Sequence, residues 1–195
     1  MIPELLSPAG DFECLQAAVQ NGADAIYLGA STFSARASAT NFDFNTLKEA
    51  ILYAHLRGVK VHLALNILLK EDEFEEAAMI AKFAYESGID AIIVQDLGLA
   101  SFLIKNFTNL PIHGSTQMTI HNLDGVKKLE NLGFSRVVLS RELNIEEIKN
   151  ITNNSNIEIE AFVHGALCIS YSGQCLFSSM VGGRSGNRGK CARTL

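Results

Sequence analysis

The chain has 195 residues, of which 48% are hydrophobic, and its formal net charge is −5. This length can bury one sizeable core and predicts a single domain. No apolar run reaches the ~18 residues that a membrane span needs, and the start of the chain lacks the basic residues of a signal peptide. These features argue against a membrane protein and predict a cytoplasmic one.

Charge is distributed unevenly along the chain. All 21 acidic residues precede residue 161, whereas four of the 16 basic residues follow it. These four are Arg184, Arg188, Lys190 and Arg193. A basic patch on an acidic body can attract a phosphate or a carboxylate. An ordinary solvated loop could carry the same four cations, so charge alone leaves anion binding open.

A unit in which a helix ends at glycine and a strand follows recurs along the sequence. Residues 20–28 (QNGADAIYL) match residues 86–94 (ESGIDAIIV), and looser copies lie at 57–61 and 132–139. Glycine can adopt the left-handed conformation that caps a helix, and the β-branched run after it favours a strand. Strands alternating with helices in this way predict a parallel sheet.

Seven strands and six helices are predicted. The strands are expected near residues 5–7, 25–28, 60–65, 91–94, 112–114, 136–139 and 157–162. The helices are expected at residues 11–21, 45–57, 71–87, 98–106, 121–132 and 144–150. Helical spacing predicts that the third helix buries a stripe made of Phe74, Ala78, Ala81 and Tyr85. The sixth helix begins with a capping-box pattern, Asn144 and Glu147.

Seven strands are one fewer than a closed (β/α)8 barrel of the TIM type contains, and such a barrel usually takes about 250 residues. We therefore predict an α/β fold of this type, truncated after about seven strands. The lack of a predicted element after Cys191 favours an N-terminal fragment of a longer protein over an open barrel. Residues 1–195 then form one barrel-like domain, and residues 163–191 form a cysteine- and glycine-rich loop.

Active sites of such barrels lie at the carboxyl ends of the strands, so polar residues at those ends are candidates. They are Ser7, Asn66, Gln95, Asp96, Ser115, Gln117, Arg141, Glu142, Glu160 and His164. The predicted catalytic residues are Arg141, Glu142, Glu160 and His164, and the predicted substrate-binding residues are Asn66 and Gln117. Any one of them alone could instead cap a helix or bond to the backbone.

His164 directly follows the seventh predicted strand and precedes Cys168 by four residues. The titration range of histidine suits a metal ligand or a proton carrier, and an ordinary hydrogen-bonding role is equally compatible with this position. Of the other histidines, His113 is expected near the mouth of the barrel, whereas His55 and His62 are expected to be structural.

Three of the four cysteines, Cys168, Cys175 and Cys191, follow the seventh predicted strand. In a reducing compartment they are expected to be free thiols or metal ligands rather than disulfides, and converging thiolates could hold an iron–sulfur cluster or zinc. Their spacing is wider than that of a Cys-x-x-Cys motif, so spacing alone leaves small buried hydrophobic residues as an alternative. Cys14, on the first predicted helix, is expected in the core.

The glycine-rich run at residues 182–190 could cradle a phosphate, because glycines let backbone N–H groups approach an anion. Its predicted ligand-binding cations are Arg184, Arg188 and Lys190. The run lacks the Gly-Lys-Ser/Thr order of a Walker A loop. A flexible connector that becomes ordered only around a cluster explains the same composition.

Two ordered motifs resemble the signature of the collagenase-like peptidase family. They read Glu160-x-Phe162-x-x-Gly165-Ala166-Leu167-Cys168 and Ser172-Gly173-x-Cys175-x-x-Ser178. Residues 4–10 and 24–29 also resemble family positions, so the resemblance covers essentially the whole chain. Bacterial members of this family include RNA hydroxylation proteins, which act on a tRNA wobble uridine or an rRNA cytidine, and proteins of oxygen-independent ubiquinone hydroxylation.

The resemblance implies a cofactor for the hydroxylation members, a [4Fe-4S] cluster held by four cysteines. Cys168, Cys175 and Cys191 match the first three of these ligands. The fourth is expected beyond Leu195, so the chain departs from the pattern and could lack the cluster. The resemblance also implies that prephenate takes part and that molecular oxygen is not required.

The favoured function is therefore iron–sulfur-dependent hydroxylation of RNA, with a tRNA wobble uridine and prephenate as the reacting partners. The family name offers an endopeptidase acting on peptides as the alternative. A Cys168–His164 pair is conceivable for it, although the sequence contains neither a His-Glu-x-x-His helix nor a Gly-x-Ser-x-Gly elbow. A non-catalytic partner subunit, as in quinone hydroxylation, is the second alternative. The acidic body counts mildly against a broad RNA footprint.

Overall fold

The computed structural model describes residues 2–35, 39–165 and 168–191. Seven parallel strands form one sheet in sequential order. They are β1 (Leu6–Ala9), β2 (Ala25–Gly29), β3 (Lys60–Leu65), β4 (Ala91–Val94), β5 (Ile112–Gly114), β6 (Arg136–Val138) and β7 (Glu158–Glu160). Within the described ranges, β1 and β7 are not paired with each other, so the barrel is open. The predicted α/β barrel type with about seven strands is confirmed.

Seven helices accompany the strands in the described part of the chain. They are α1 (Phe12–Gln20), α2 (Phe44–His55), α3 (Phe74–Glu86), α4 (Leu97–Asn106), α5 (Leu123–Asn131), α6 (Ile145–Asn154) and α7 (Phe177–Gly182). The first six follow the predicted order. The capping box of Asn144 and Glu147 is confirmed. None of the helices in the described ranges combines the length and hydrophobicity needed to cross a bilayer.

The apolar core lies between the helices and one face of the sheet. Alternate strand residues such as Val61, Leu63 and Leu65 are buried in one cluster with helix residues such as Leu99 and Leu103. A strand directs successive side chains to opposite faces, so this single set of alternate positions faces the helices.

The predicted buried stripe of α3 is only partly confirmed: Ala81 is buried and Phe74 is half-buried against the core, but Tyr85 is not buried. The buried residues of this helix are Ala77, Ile80, Ala81 and Ala84, whereas Tyr85 is exposed. The prediction followed the large aromatic residues. The structure instead places small alanines against the core, where they allow the close approach that dense packing requires.

The other set of alternate positions faces the concave side of the sheet and is unusually polar. It includes Tyr27, which pairs in register with His62, and His113, which pairs in register with Arg136. His62 and His113 are both buried, and their rings meet edge to face with centroids 4.9 Å apart. The interior of this open barrel is therefore lined in part by ionisable side chains.

Arg136 ties the first and last strands together across this interior. Its Nη1 lies 2.8 Å from Oε1 of Glu4, just before β1, and 3.4 Å from Oε2 of Glu160 on β7. Its Nη2 lies 2.6 Å from Oε2 of Glu158. The other oxygen of Glu4 is 2.8 Å from Nζ of Lys60 on β3. The network therefore bridges three separated parts of the sheet.

The network changes the proton affinities of its members in opposite directions. Burial raises the pKa of Glu4, but hydrogen bonds from Lys60 and Arg136 outweigh this effect and hold the pKa below its usual value. Burial raises the pKa of Glu160, and the more distant guanidinium of Arg136 does not offset it. Glu4 is thus the stronger anionic partner of Arg136.

Replacing Arg136 by Ala should destabilise the chain strongly, because Glu4, Glu158 and Glu160 would lose their shared cation. We expect the free energy of unfolding, measured with urea, to fall by about 3–5 kcal/mol, as for other broken buried ion pairs. The matched control is Lys82→Ala, which removes an exposed pair with Glu86 and should change stability by less than about 1 kcal/mol. Equal effects of the two substitutions would show that the interior network does not stabilise the fold.

The buried histidine pair should make stability depend on pH. Burial lowers the pKa of His62 to about 4, and burial together with the neighbouring His62 lowers the pKa of His113 to about 2. Below the ordinary histidine pKa of about 6.5, the unfolded chain binds protons that the folded chain excludes. Stability should therefore fall as the pH drops from about 6.5 towards 4, by up to about 1.4 kcal/mol per pH unit for each histidine.

The measurement is urea unfolding at several pH values between neutral and mildly acidic. The wild type is compared with a His62→Gln, His113→Gln variant and with His164→Gln, which alters an exposed histidine. The free energy of unfolding should depend less steeply on pH in the double variant than in the wild type. In His164→Gln it should depend on pH as steeply as in the wild type. Three identical slopes would contradict the assignment.

Candidate functional site

Hydrogen bonds tie the carboxyl ends of the central strands together. Oδ1 of Asn66, after β3, accepts from the backbone N–H of Ala35 at 2.9 Å, and Nδ2 donates to Oγ of Ser115 at 3.2 Å. The same hydroxyl accepts from the backbone N–H of Gln117, whose carbonyl oxygen accepts from Nε2 of Gln95. Asn66 and Gln117 therefore lie at the mouth, and the amide of Asn66 is engaged by the protein itself.

We call residues 168–191 the cysteine segment. The side chains of Arg141 and Glu142, after β6, hold its first residues. The guanidinium of Arg141 donates to the carbonyl oxygens of Cys168 and Ser170, both at 3.2 Å. Oε1 of Glu142 accepts from the backbone N–H of Ser172 at 2.9 Å and from its hydroxyl at 3.1 Å. These two residues form a clasp that positions the cysteine segment over the mouth.

The clasp keeps Glu142 ionised. Burial raises the pKa of its carboxyl, but hydrogen bonds from the Ser172 backbone and hydroxyl, together with the neighbouring Arg141, hold the pKa below its usual value. An ionised carboxylate makes stronger hydrogen bonds than a neutral acid does. The contact between Glu142 and Ser172 should therefore persist throughout the neutral pH range.

A second contact involves Thr119, which adopts a left-handed backbone conformation with φ of 61°. Its hydroxyl donates to the carbonyl oxygen of Ser172 at 2.8 Å and accepts from Nε2 of Gln174 at 2.7 Å. Gly173 lies between these residues with φ of 74°, and a β-carbon there would overlap the carbonyl oxygen of Gln117. Only glycine allows the cysteine segment to approach the loop after β5 this closely.

His121 lies beside the clasp, although the sequence did not predict it there. Its Nδ1 is 2.8 Å from the carbonyl oxygen of Thr119, and its Nε2 is 3.6 Å from Oε2 of Glu142. The ring of Tyr171 is tilted over it, with centroids 5.6 Å apart. Nε2 is buried and has no hydrogen-bond partner among the described residues. His113, which we expected near the mouth, instead lies buried inside the sheet.

The three cysteines of this segment are free thiols, and their arrangement fits a metal cluster only in part. A β-carbon at Gly186 would lie 3.7 Å from Cβ of Cys191 and 3.8 Å from the carbonyl oxygen of Cys175, so these two cysteines flank one point. Across the described ranges, no group of three or more His, Cys, Asp or Glu side chains is placed to hold a metal ion. The donor chemistry suits iron, but the described geometry does not by itself form a complete site.

The remaining predicted residues lie at different places. The carboxylate of Glu160 faces Arg136 inside the barrel and is separate from the clasp, whereas His164 is exposed beyond β7. In the described part of the chain, no hydrogen bond joins His164 to Cys168. Cys14 is exposed, so its predicted place in the core is wrong, because that face of α1 points to solvent.

The predicted basic patch is partly neutralised. Arg188 donates to the carbonyl oxygen of Leu68 at 2.9 Å and forms an ion pair with Glu73, so it anchors the cysteine segment to the loop after β3. Arg184 and Lys190 are exposed. Arg193, which we counted in the patch, lies outside the described residues, as do Ala166 and Leu167 of the family motif.

An open parallel (β/α) barrel with a cysteine segment clasped over its mouth defines the structural class of this protein. The profile of Peptidase family U32 matches residues 10–194, and the chain belongs to this family. The predicted family membership is confirmed.

Three curated relatives illustrate the functions named within the family. The 23S rRNA 5-hydroxycytidine C2501 synthase of Escherichia coli K12 is 42% identical over 97% of this chain and 28% of its own length. An uncharacterized protease of Methanocaldococcus jannaschii is 41% identical over 96% of this chain and 47% of its own length. The tRNA hydroxylation protein P of E. coli K12 is 40% identical over 97% of this chain and 42% of its own length. The chain thus spans less than half the length of each of these relatives.

A solved structure supports the fold. The structure of the U32 peptidase Mk0906 is similar with a TM-score of 0.70 and 16% sequence identity, covering 82% of this chain and 68% of that chain. At this level of identity the similarity concerns the fold alone.

Gly173→Ala should loosen the cysteine segment. A left-handed backbone conformation costs alanine roughly 1–2 kcal/mol. The β-carbon of alanine at this position would also overlap the Gln117 carbonyl oxygen. Gly183→Ala is the matched control, because Gly183 also has positive φ but has open space around its β-carbon position. Hydrogen exchange of the Ser172 and Gln174 amides should accelerate by more than about tenfold in Gly173→Ala, since 1.4 kcal/mol corresponds to a factor of 10. Unchanged exchange there would contradict the docking described above.

Proposed function

We propose that this chain serves oxygen-independent hydroxylation of an RNA base, with the cysteine segment next to the reacting base. The observation that carries the proposal is the clasp of Arg141 and Glu142, which fixes a cysteine-bearing segment over the polar mouth of a barrel. The names of two relatives, an rRNA hydroxycytidine synthase and a tRNA hydroxylation protein, support hydroxylation of RNA.

The residues of the mouth have distinct tasks in this proposal. Arg141 and Glu142 bond to the backbone of the cysteine segment, so they act as positioning residues. The hydrogen-bonded chain of Asn66, Ser115 and Gln117 keeps the strand ends rigid. His121, whose Nε2 lies 3.6 Å from Oε2 of Glu142 and whose Nδ1 lies 2.8 Å from the Thr119 carbonyl oxygen, is a further positioning residue beside the clasp.

The cofactor in this proposal is a [4Fe-4S] cluster held by Cys168, Cys175 and Cys191, with a fourth ligand from outside this chain. Three thiols on one anchored segment provide the donor chemistry that such a cluster needs. When bound, the cluster would supply electron transfer or substrate binding through iron. Prephenate is the proposed small-molecule partner, and a partner subunit is the proposed source of any missing part of the site.

The proposed substrate is a tRNA wobble uridine, and an rRNA cytidine is the other base within the same chemistry. Either substrate would place the protein in the cytoplasm. The finding that no helix in the described ranges could cross a membrane is compatible with this location. A peptidase remains the competing function because one relative is named a protease.

Iron analysis tests the cofactor. After anaerobic purification, the wild-type full-length protein should contain about four irons with matching sulfide and a visible iron–sulfur absorption band. The Cys168→Ala, Cys175→Ala variant should contain none. Cys14→Ala is the control, since this exposed cysteine lies on α1 outside the cysteine segment. A wild type free of iron, or a loaded double variant, would count against the cluster.

Nucleoside analysis tests the activity. A host that lacks its own RNA hydroxylation protein is complemented with the complete gene, and its tRNA and rRNA are analysed by mass spectrometry. Glu142→Ala should lower the hydroxylated nucleoside by about 10- to 100-fold, as loss of a positioning residue around a cofactor typically does. The control is Glu13→Ala on α1. Gelatin cleavage that disappears in Cys168→Ala, without any hydroxylated nucleoside, would instead establish the peptidase function.

A further inference from the structure

The cysteine segment forms an open groove of about 470 Å³, and the proposed cluster ligand Cys175 lies in its wall. Its walls are mostly apolar, and the residues that shape it include Ile169, Tyr171, Gln174, Leu176, Phe177 and Met180. The volume lies in the range of small-molecule and cofactor sites. One face of α7 forms a wall of the groove, and the residues before α7 form the rest.

The apolar side chains of this groove are exposed to an unusual degree. Ile169 is 92% exposed, Met180 is 84% exposed, and Tyr171 is 62% exposed. Soluble proteins rarely leave a contiguous apolar surface of this kind open unless it binds something. Two aromatic rings, those of Tyr171 and Phe177, contribute flat surfaces to it.

The charges that the cysteine segment itself places around the groove are basic, while the nearby carboxylate of Glu142 is hydrogen-bonded to Ser172 and paired with Arg141. The segment from residue 161 onwards contains no acidic residue. The guanidinium of Arg184 lies 3.1 Å from the β-carbon position of Gly182, at the end of the helix that forms the wall. Lys190 is exposed and directly precedes Cys191. Cys191 and the groove residue Cys175 both lie next to Gly186, so Lys190 is close to this side of the groove. Cations therefore flank the apolar surface on this side.

We propose that this groove binds an unpaired RNA base, which stacks on Tyr171 and Phe177 while Arg184 and Lys190 neutralise the adjoining phosphates. Aromatic rings flanked by cations are the combination that binds single-stranded nucleic acids, because every base has a flat apolar face and every nucleotide a negative charge. The proposal rests on the proposed function for the choice of RNA as the nucleic acid.

A polar group in the groove can also contact the base edge. Nε2 of Gln174 donates to the hydroxyl of Thr119 at 2.7 Å, which fixes the amide and leaves its oxygen as an acceptor. A base N–H is a suitable donor for this oxygen. The groove thereby holds the base beside Cys175, next to the proposed cluster.

Binding of labelled RNA tests the groove. Fluorescence anisotropy is measured for this chain with a fluorescein-labelled uridine oligonucleotide of about ten nucleotides, a length within the usual single-strand site size. Phe177→Ala should weaken binding by about tenfold or more, since stacking on one ring typically provides this much. Tyr171→Phe keeps the ring and should bind like the wild type. Leu56→Ala, at an apolar residue directly after α2 that is 74% exposed, is the control and should have no effect.

Salt and strandedness provide two independent measurements. Arg184→Ala and Lys190→Ala should each reduce the slope of log affinity against log salt by about 0.7, the value for one phosphate contact with a single strand. A duplex RNA of the same length should bind more weakly than the single strand, because its bases are stacked and unavailable. Circular dichroism confirms that each variant is folded.

The outcomes separate this inference from the proposed function. Weaker RNA binding in Phe177→Ala without any hydroxylated nucleoside in the complementation experiment would support the groove and reject the proposed function. Hydroxylation that persists while Phe177→Ala and Arg184→Ala bind RNA like the wild type would support the function and overturn the groove. No binding of the uridine oligonucleotide, with binding of an apolar peptide, would also overturn it.

Discussion

The ion-pair network around Arg136 sets the shape on which the rest of this structure depends. Parallel strands are held by their neighbours, and in the described residues β1 and β7 have no such bond between them. Arg136 replaces it with side-chain contacts to Glu4 on one side and to Glu158 and Glu160 on the other. A buried guanidinium with several carboxylates is favourable only when its hydrogen bonds are well formed. The network therefore holds the amino ends of the first and last strands together, at the end of the sheet opposite the candidate site.

At the opposite end of the strands, the protein uses neutral hydrogen bonds and one ionised pair of side chains. Asn66, Ser115 and Gln117 connect neighbouring strand ends, and Arg141 with Glu142 connects them to the cysteine segment. The charged network near the amino ends thus stabilises the shape of the sheet. The clasp near the carboxyl ends fixes the position of the cysteine segment. This division matches the general arrangement of barrel proteins, in which the carboxyl ends of the strands carry the chemistry.

The sequence predicted most of the fold, because hydrophobic runs and capping glycines are local signals. The positions of β3, β4 and β5 agree with the prediction to the residue. Long-range geometry was not accessible in this way: nothing local shows that Arg141 bonds to Cys168, or that Arg136 reaches Glu4. The helix α7 was missed because its six residues include two serines and a glycine, which give a weak helical pattern. The predicted strand at 157–162 was too long, since β7 lies at the edge of the sheet.

The clasp contacts the main chain of the cysteine segment more than its side chains. Arg141 bonds to two carbonyl oxygens, Glu142 bonds to an N–H as well as a hydroxyl, and Gly173 packs through its backbone. The exposed side chains of residues such as Ile169 and Met180 consequently do not contribute to the attachment of the segment. Evolution can exchange them without altering how the segment is attached. One scaffold can in this way acquire new substrates through a handful of surface substitutions, which suits a family whose members carry such different names.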